Sequence, residues 1–370
     1  MTGYGVFALG GQAPRVGFRA SGGILDLSDL GPPFTEPALN GFLALGRDAW
    51  ARTDEHVAQR LAAGAKLVAE NEVERLLPFA VADYVDFYSS FEHASNLGRL
   101  FRPNAEPLLP NWRWLPVGYH GRAGTVVVSG TDVVRPCGQR KAPNESAPTV
   151  GPSRRLDVEL ELGFVVGVPS ELGTSVPAGA FREHVFGVVL VNDWSARDLQ
   201  AWEYQPLGPF LGKSFATTIS AWVTPLSALE HAWVPGPEQD PEPLPYLRAS
   251  GERPANLDLD LEIELNGEVI SRTNARGLHW SLAQQLAHAT VNGASLRTGD
   301  LLATGTISGA EPASQGSLIE LTWNGERPLR LRDGSERSFL EDGDEVVLRG
   351  RAGDVELGEA RGRVFPAGTR

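Results

Sequence analysis

The sequence predicts a mostly β fold with a few helices, of the α+β class. Its 370 residues include 42 glycines and 27 prolines, which weaken helix interiors and serve tight turns. Strand-like runs recur along the chain, and the pairs Asn266-Gly267 and Asn324-Gly325 lie between such runs, as in type I′ hairpins. No block repeats at a period of roughly 20 to 50 residues, which excludes solenoids and propellers.

Residues 1–80 are predicted to form a small β-rich domain closed by a helix. The strand-like pieces are Tyr4 to Ala8, Arg15 to Arg19 and Gly23 to Leu27. Thr53 is the candidate N-cap of the helix, and the apolar residues of its buried side are Val57, Leu61, Ala65 and Val68. Because Pro78 interrupts this pattern, we place the domain boundary near residue 80 and assign residues 81–370 to a second domain.

The second domain is predicted to consist mainly of strands. The runs are Gly124 to Ser129, Leu156 to Val168, Val185 to Asn192, Leu257 to Arg272, Asp300 to Thr304, Leu318 to Trp323 and Glu345 to Gly350. One helix is predicted from Ser281 to the cap at Asn292-Gly293. The proline-rich stretch from Pro235 to Pro254 is typical of a long surface loop.

The composition excludes several classes of function. The formal net charge is −13, which disfavours binding to a nucleic-acid phosphate backbone. The longest apolar runs fall far short of the ~20 residues that cross a bilayer, so we expect no membrane partner. A single cysteine, Cys137, excludes an internal disulfide. The first residues lack the basic and apolar regions of a secretory signal, so we predict a cytoplasmic protein.

Two strands carry alternating carboxylates. Asp157, Glu159 and Glu161 share one face of the first strand, and the carboxylates of the second are Asp258, Asp260, Glu262 and Glu264. Such a row is typical of a solvated face, and the second row runs directly into a hairpin turn. The first row instead continues into residues 162–166, which are apolar on both faces, as in a covered strand. Only the first row is therefore a candidate metal site.

Two more acids and one histidine extend this candidate site. Asp193 follows an apolar strand, Asp86 lies in a polar segment, and His93 is seven residues after Asp86. Oxygen ligands alone favour a hard cation such as Ca²⁺ or Mg²⁺. An imidazole beside a metal and a carboxylate is suited to act as a general base, although a single histidine is more often a packing or surface residue.

Several longer motifs are similar to the fumarylacetoacetase family. They are residues 86–90 (DFYSS), 110–112 (PNW), 115–122 (LPVGYHGR), 193–200 (DWSARDLQ), 202–215 (WEYQPLGPFLGKSF) and 305–309 (GTISG). The resemblance extends from about Tyr4 to Phe365. It implies a small SH3-like N-terminal domain and a large mixed β-roll, a homodimer, and hydrolysis of a carbon-carbon bond in 4-fumarylacetoacetate, a diketo acid, as the last step of tyrosine and phenylalanine degradation.

The resemblance also implies site residues. Ca²⁺ would be held by Asp86, Glu159, Glu161 and Asp193, and Mg²⁺ would lie near Asp193, Lys213 and Thr217. His93 would be the general base, oriented by Glu320. The polar groups around the reacting carbonyl would be Arg197, Gln200 and Lys213, and the other substrate contacts would be Tyr88, Arg102, Tyr204 and Thr306, together with Gln200.

Two alternatives remain open. The first is a related hydrolase or decarboxylase, such as an acylpyruvate hydrolase or an oxaloacetate-type decarboxylase, with the same acidic metal site. The second is a calcium-stabilised scaffold without activity, which the presence of His93, Glu320 and Lys213 disfavours.

Overall fold

The computed structural model describes residues 3–142, 144–248 and 255–368. It confirms the mixed β-rich fold, because strands predominate and short helices interrupt them. The elements up to residue 76 are β1 (Gly3–Leu9), β2 (Arg15–Ala20), β3 (Gly23–Asp26), α1 (Asn40–Leu43), α2 (Arg47–Ala62) and β4 (Val73–Leu76).

The remaining elements carry the candidate site and the strands that enclose it. Those up to residue 166 are β5 (Tyr84–Phe87), α3 (Phe91–Phe101), β6 (Gly118–His120), β7 (Val126–Val128), β8 (Val133–Val134), β9 (Cys137–Arg140), β10 (Thr149–Pro152), β11 (Leu156–Asp157) and β12 (Leu160–Val166). Next come α4 (Phe181–His184), β13 (Val185–Asp193), β14 (Ser195–Ala196), α5 (Arg197–Glu203), β15 (Thr217–Ile219), β16 (Trp222–Pro225) and β17 (Trp233–Pro235). The last are β18 (Ala255–Leu257), β19 (Asp260–Leu265), β20 (Glu268–Asn274), α6 (Leu282–Thr290), β21 (Leu301–Ala303), α7 (Leu318–Leu321), β22 (Leu329–Arg330), β23 (Glu336–Arg337), β24 (Glu345–Ala352) and β25 (Val355–Phe365).

Two sheets account for most of the strands. The larger has 12 strands, and its main path runs β3-β2-β1-β16-β13-β12-β21-β5-β6. The smaller has the order β20-β19-β24-β25-β8. Strand β1 pairs with β16 through Tyr4 and Val223, so the N-terminal strands continue the sheet that carries the candidate site. The domain boundary near residue 80 stays a prediction.

Strands β12 and β13 are buried along their whole length, as the apolar residues after Glu161 predict. One face of the pair packs with the smaller sheet, where Leu162 and Leu190 join Ile263 in a single apolar cluster. The other face packs with N-terminal residues, where Val165 belongs to the cluster of Tyr4. A carboxylate on these strands is therefore held far from solvent.

The prediction that the first helix begins at Thr53 is wrong. Helix α2 begins at Arg47 after Gly46, and the Thr53 hydroxyl donates to the Ala49 carbonyl one turn earlier, at 2.9 Å. Trp50 anchors the first turn, because its indole nitrogen donates to the Leu43 carbonyl at 3.1 Å. The helix ends at Ala62, before two of the residues assigned to its apolar side.

The strand predicted from Leu318 to Trp323 is also wrong, because Leu318–Leu321 form the short helix α7. The Asp157 carboxylate accepts hydrogen bonds from the main-chain nitrogens of Leu318 and Ile319 at 2.7 and 3.1 Å, which satisfies two donors of the first turn. The pair Asn324-Gly325 consequently does not form a hairpin turn. It follows α7, and Asn324 donates from its main chain to the Ile319 carbonyl at 2.7 Å.

Two other sequence predictions, a hairpin turn and a helix, are confirmed. Asn266 and Gly267 have φ values of 51° and 82° and join β19 to β20. Helix α6 begins at the predicted cap, where Ser281 and Gln284 form a capping box. The proline-rich stretch contains short elements, and its residues 249–254 lie outside the described part of the chain. Among the described helices, none is long and apolar enough to span a membrane.

Candidate active site

Three of the four predicted metal ligands converge in the buried centre of the larger sheet. Asp86 lies on β5, Glu161 on β12 and Asp193 at the end of β13, and one oxygen of each lies within 4.8 Å of the others. Sheet pairing brings them together, since β21 pairs with both β12 and β5. The Gly305 main-chain nitrogen, just after β21, donates to Asp86 Oδ1 at 3.1 Å.

Ionisation of these three carboxyl groups is electrostatically unfavourable. Burial and the charges of neighbouring carboxylates raise the pKa values of Asp86 and Glu161 well above their usual range, and burial also raises that of Asp193. Both Glu161 oxygens are buried and receive no hydrogen bond from a donor group among the described residues. Buried charge is normally paired or bound to a metal. The all-oxygen donor set therefore fits a hard divalent cation.

The fourth predicted ligand, Glu159, faces cationic side chains. It accepts hydrogen bonds from Arg197 Nη2 at 2.7 Å and from Lys213 Nζ, and His93 Nε2 lies 3.7 Å from Glu159 Oε1. Burial opposes ionisation of Glu159, but the attraction of these groups outweighs it and lowers the pKa of its carboxyl. Glu159 is thus ionised, and it lies between these cationic side chains and the acidic cluster of Asp86, Glu161 and Asp193.

Lys213 lies between two of the candidate ligands. Its ammonium group donates to Asp193 Oδ2 at 2.6 Å as well as to Glu159, and attraction by Asp193 and Glu159 raises its pKa despite burial. Thr217 donates from its hydroxyl to Asp193 Oδ1 at 3.3 Å. The residues predicted for a second cation site thus surround Asp193.

His93 and Glu320 form the predicted pair. His93 Nδ1 lies 2.7 Å from Glu320 Oε2, and the side chains of three further residues also donate to this carboxylate. They are Asn96 at 3.0 Å, Ser308 at 2.8 Å and Ser317 at 2.7 Å. Burial disfavours the charge of Glu320, but attraction to His93 and these hydrogen bonds lower its pKa. An ionised Glu320 only accepts hydrogen bonds, which assigns a proton to Nδ1, so Nε2 of the neutral imidazole is the atom that can act as a base.

Helix α5 contributes Arg197 and Gln200 to the same centre. The buried Arg197 guanidinium donates to Asp157 Oδ2 at 2.8 Å, to Glu159, and to Gln200 Oε1 at 3.2 Å. Asp157, which is not among the metal ligands that the resemblance implies, is thereby bound to Arg197 and to α7. These contacts place cationic donors beside the acidic cluster.

Comparison with known proteins identifies the family. A family model described as the C-terminal part of fumarylacetoacetate (FAA) hydrolase matches residues 83–365. The fumarylacetoacetase of Rattus norvegicus is 46% identical over 399 residues, an alignment that covers 98% of this chain and 95% of that protein. That of Arabidopsis thaliana is 44% identical over 400 residues and covers 98% and 94%. The chain belongs to the fumarylacetoacetate hydrolase family.

Solved structures of two other hydrolases share the fold. A fumarylacetoacetate hydrolase from Exiguobacterium antarcticum aligns with a TM-score of 0.59 at 17% identity, over 99% of this chain and 100% of that one. A maleylpyruvate hydrolase from Sphingobium aligns with a TM-score of 0.58 at 16% identity, again over 99% and 100%. At these identities the likeness concerns the fold alone.

Of the other predicted substrate contacts, Tyr88 and Thr306 lie next to residues of the candidate site, whereas Arg102 and Tyr204 contact residues outside it. The Tyr88 ring contacts His93 edge-on, with 5.3 Å between the ring centroids. Thr306 follows Gly305, whose main-chain nitrogen donates to Asp86. The Thr306 hydroxyl is buried and lacks a hydrogen-bond partner within the described ranges. Arg102 donates to the Pro107 carbonyl at 2.7 Å, and Tyr204 stacks on Phe101 at 6.5 Å. Among the described residues, no hydrogen bond or ion pair joins Arg102 or Tyr204 to Asp86, Glu161 or Asp193.

Sequence reasoning missed several groups that hold the site together. Tyr119 donates from its hydroxyl to Asp193 Oδ2 at 3.0 Å, and the buried Tyr84 lies in the field of the same carboxylates. The motif at residues 115–122 was a signal for Tyr119. Ser308 lies in the motif at residues 305–309, but no signal pointed to Asn96 or Ser317, because an isolated serine or asparagine carries no pattern.

Proposed function

We propose that this hydrolase of the fumarylacetoacetate hydrolase family cleaves 4-fumarylacetoacetate with water to fumarate and acetoacetate. The similarity to fumarylacetoacetases over 98% of the chain supports this activity. The observation that carries the proposal is the pairing of His93 with Glu320, 2.7 Å apart, with His93 Nε2 facing the acidic cluster through Glu159. A base, cationic donors and a cation site thus occupy one buried centre.

A divalent cation fits among Asp86, Glu161 and Asp193, and we assign Ca²⁺ to these three carboxylates together with Glu159, which the family resemblance adds. When bound there, it supplies positive charge that stabilises negative charge on the oxygens of a diketone. The positions of Lys213 and Thr217 beside Asp193 support an additional Mg²⁺ site. A protonated ammonium has no acceptor electron pair, so Lys213 contributes to such a site as a neighbour of Asp193 rather than through Nζ.

His93 activates the water in this proposal. Nε2 accepts a proton from water as the oxygen attacks the carbonyl carbon, and ionised Glu320 stabilises the imidazolium that forms. When the carbon-carbon bond breaks, its electron pair goes to the acetoacetate carbon, which receives the proton from Nε2. Glu320 does not take the proton, because its carboxylate is held by hydrogen bonds from His93, Asn96, Ser308 and Ser317.

Side-chain donors stabilise the oxyanion of the tetrahedral intermediate. Arg197, Gln200 and Lys213 are the candidates, since Arg197 and Lys213 both reach Glu159 and Arg197 contacts Gln200. The substrate is a dianion and the protein has a net charge of −13, so local cations must attract it. We assign Tyr88, Arg102, Tyr204 and Thr306 to substrate binding.

The wider setting is also proposed. We place the protein in the cytoplasm as a homodimer that acts in the last step of tyrosine and phenylalanine degradation, without nucleic-acid or membrane partners. The net charge supports the exclusion of nucleic acid.

Substitution of His93 tests the mechanism. We expect His93→Ala to abolish hydrolysis, followed as loss of diketone absorbance, while calcium binding and thermal stability persist. Glu320→Gln should reduce kcat, because an amide stabilises an imidazolium less than a carboxylate does. Undiminished turnover by His93→Ala would overturn its role as base. Turnover of an acylpyruvate but not of fumarylacetoacetate by the parent would instead favour an acylpyruvate hydrolase.

A further inference from the structure

The loop of residues 204–212 leads directly to Lys213 in the active site, but the large apolar side chains of the loop do not anchor it. Leu207 and Phe210 are 97% and 63% exposed within the chain, so their burial contributes little to fixing the loop. Lys213, which follows directly, is nevertheless buried with its ammonium between Glu159 and Asp193. Other contacts must therefore hold the loop in place.

Glu203, the last residue of α5, supplies such contacts. Its Oε1 accepts hydrogen bonds from the main-chain nitrogens of Phe210 at 3.0 Å and Gly212 at 2.6 Å. Hydrogen bonds to an ionised acceptor are stronger than those between neutral groups. A single carboxylate thus fastens the far end of the loop to the helix, one residue before Lys213.

The main chain at Gly212 lies directly against α5. A Cβ at this position would be 2.8 Å from the Gln200 nitrogen and 3.0 Å from the Ala196 carbonyl oxygen, so the approach requires glycine. Ala196 also donates from its main chain to the Gly212 carbonyl at 2.8 Å. The loop therefore meets both ends of α5, and Glu203 closes the contact at the C-terminal end.

We propose that Glu203 is a positioning residue, which holds Lys213 in register with Arg197 and Gln200 through its two main-chain hydrogen bonds. The three donors then form one rigid unit, because Arg197 and Gln200 lie on the helix to which Glu203 ties the loop. The inference rests on the proposed role of Lys213 in turnover. Glu203 acts through Lys213 and does not contact the acidic cluster.

Two substitutions at Glu203 test this role. Glu203→Ala removes the acceptor, and we expect kcat to fall about 10- to 100-fold with KM changed only a few-fold, since a displacement of ~1 Å can cost ~10²-fold. Glu203→Gln keeps a carbonyl oxygen and should retain most of kcat. Glu230→Ala is the matched control, because Glu230 is an exposed glutamate that pairs with exposed Arg182 at 2.7 Å, and it should behave as the parent.

A second measurement does not depend on turnover. Amide hydrogen exchange of a peptide covering residues 204–214 should be faster in Glu203→Ala, and in Glu203→Gln it should stay closer to that of the parent. If the parent lacked the proposed activity, this result would still test the loop contacts. Adding Glu203→Ala to Lys213→Ala should lower kcat little further, because both changes disrupt the same donor. Unchanged kcat and exchange in Glu203→Ala, an equally impaired Glu203→Gln, or fully additive losses would overturn the proposal.

Discussion

Two segments of this protein carry the same alternation of carboxylates but place them in opposite environments. The inner row, at residues 157–161, is buried, and its Glu159 and Asp157 bind the buried Arg197. The outer row, at residues 258–264, lies along β19 and pairs with exposed arginines such as Arg272, which lies 3.6 Å from Glu262. Alternation fixes which side chains share a face, but it does not tell whether that face is covered.

What differs between the rows is the sequence that follows them. Residues 162–166 are apolar on both faces of β12 and become entirely buried between two packed layers. The outer row runs into the hairpin at Asn266, and β19 alternates between buried and more exposed positions. Whether an acidic row forms a buried site or a solvated face therefore depends on what covers its strand.

Replacing the arginine partner of each row should give the largest difference between the two rows in the free energy of unfolding. Arg197→Met leaves Asp157 and Glu159 buried without their shared cation, and we expect the free energy of unfolding to fall by about 3 to 5 kcal/mol. Arg272→Met removes an exposed partner and should change it by about 0 to 1 kcal/mol. Denaturant unfolding of both variants, with calcium present, gives the two values. Equal losses would show that the inner pairs are no more desolvated than the outer ones.

The sequence predicted the buried acidic row and the convergence of Asp86, Glu161 and Asp193, because covered strands have a local apolar signature and the family motifs are long. It failed at residues 318–323, where a strand-like run predicted a strand. The Asp157 carboxylate, distant in sequence, binds the main chain there and stabilises α7. The hydrogen bonds from Asn96, Ser308 and Ser317 to Glu320 were equally inaccessible, since they depend on tertiary contacts between single residues.

In the metal-free protein, the carboxylates of the acidic cluster should make the stability depend on pH. Burial and neighbouring carboxylates raise the pKa values of Asp86 and Glu161, so the folded protein retains protons that the unfolded chain releases. This contribution to stability is present below the unfolded pKa values and is lost as the pH rises through the folded ones. In EDTA, we therefore expect the Tm to be a few degrees lower at about pH 8 than at about pH 6.

Calcium should remove that difference, because it stabilises the ionised carboxylates and is bound by the folded state alone. The increase in Tm on adding calcium should thus be larger at the higher pH, as thermal unfolding at both pH values would reveal. Glu262→Gln, in the outer row, should leave the pattern intact. A metal-free protein that gains stability as the pH rises over this range would contradict the account of the cluster.

Calorimetric titration of calcium into EDTA-treated and dialysed protein tests most directly whether the inner carboxylates form a cation site. Loss of an outer-shell partner typically costs 10- to 100-fold in affinity, so replacement of a ligand by Glu161→Gln should weaken binding at least ~100-fold. Glu262→Gln should bind calcium as the parent does. Saturable binding by the parent that Glu161→Gln largely abolishes is the predicted result, and equal binding by parent and Glu161→Gln would contradict it.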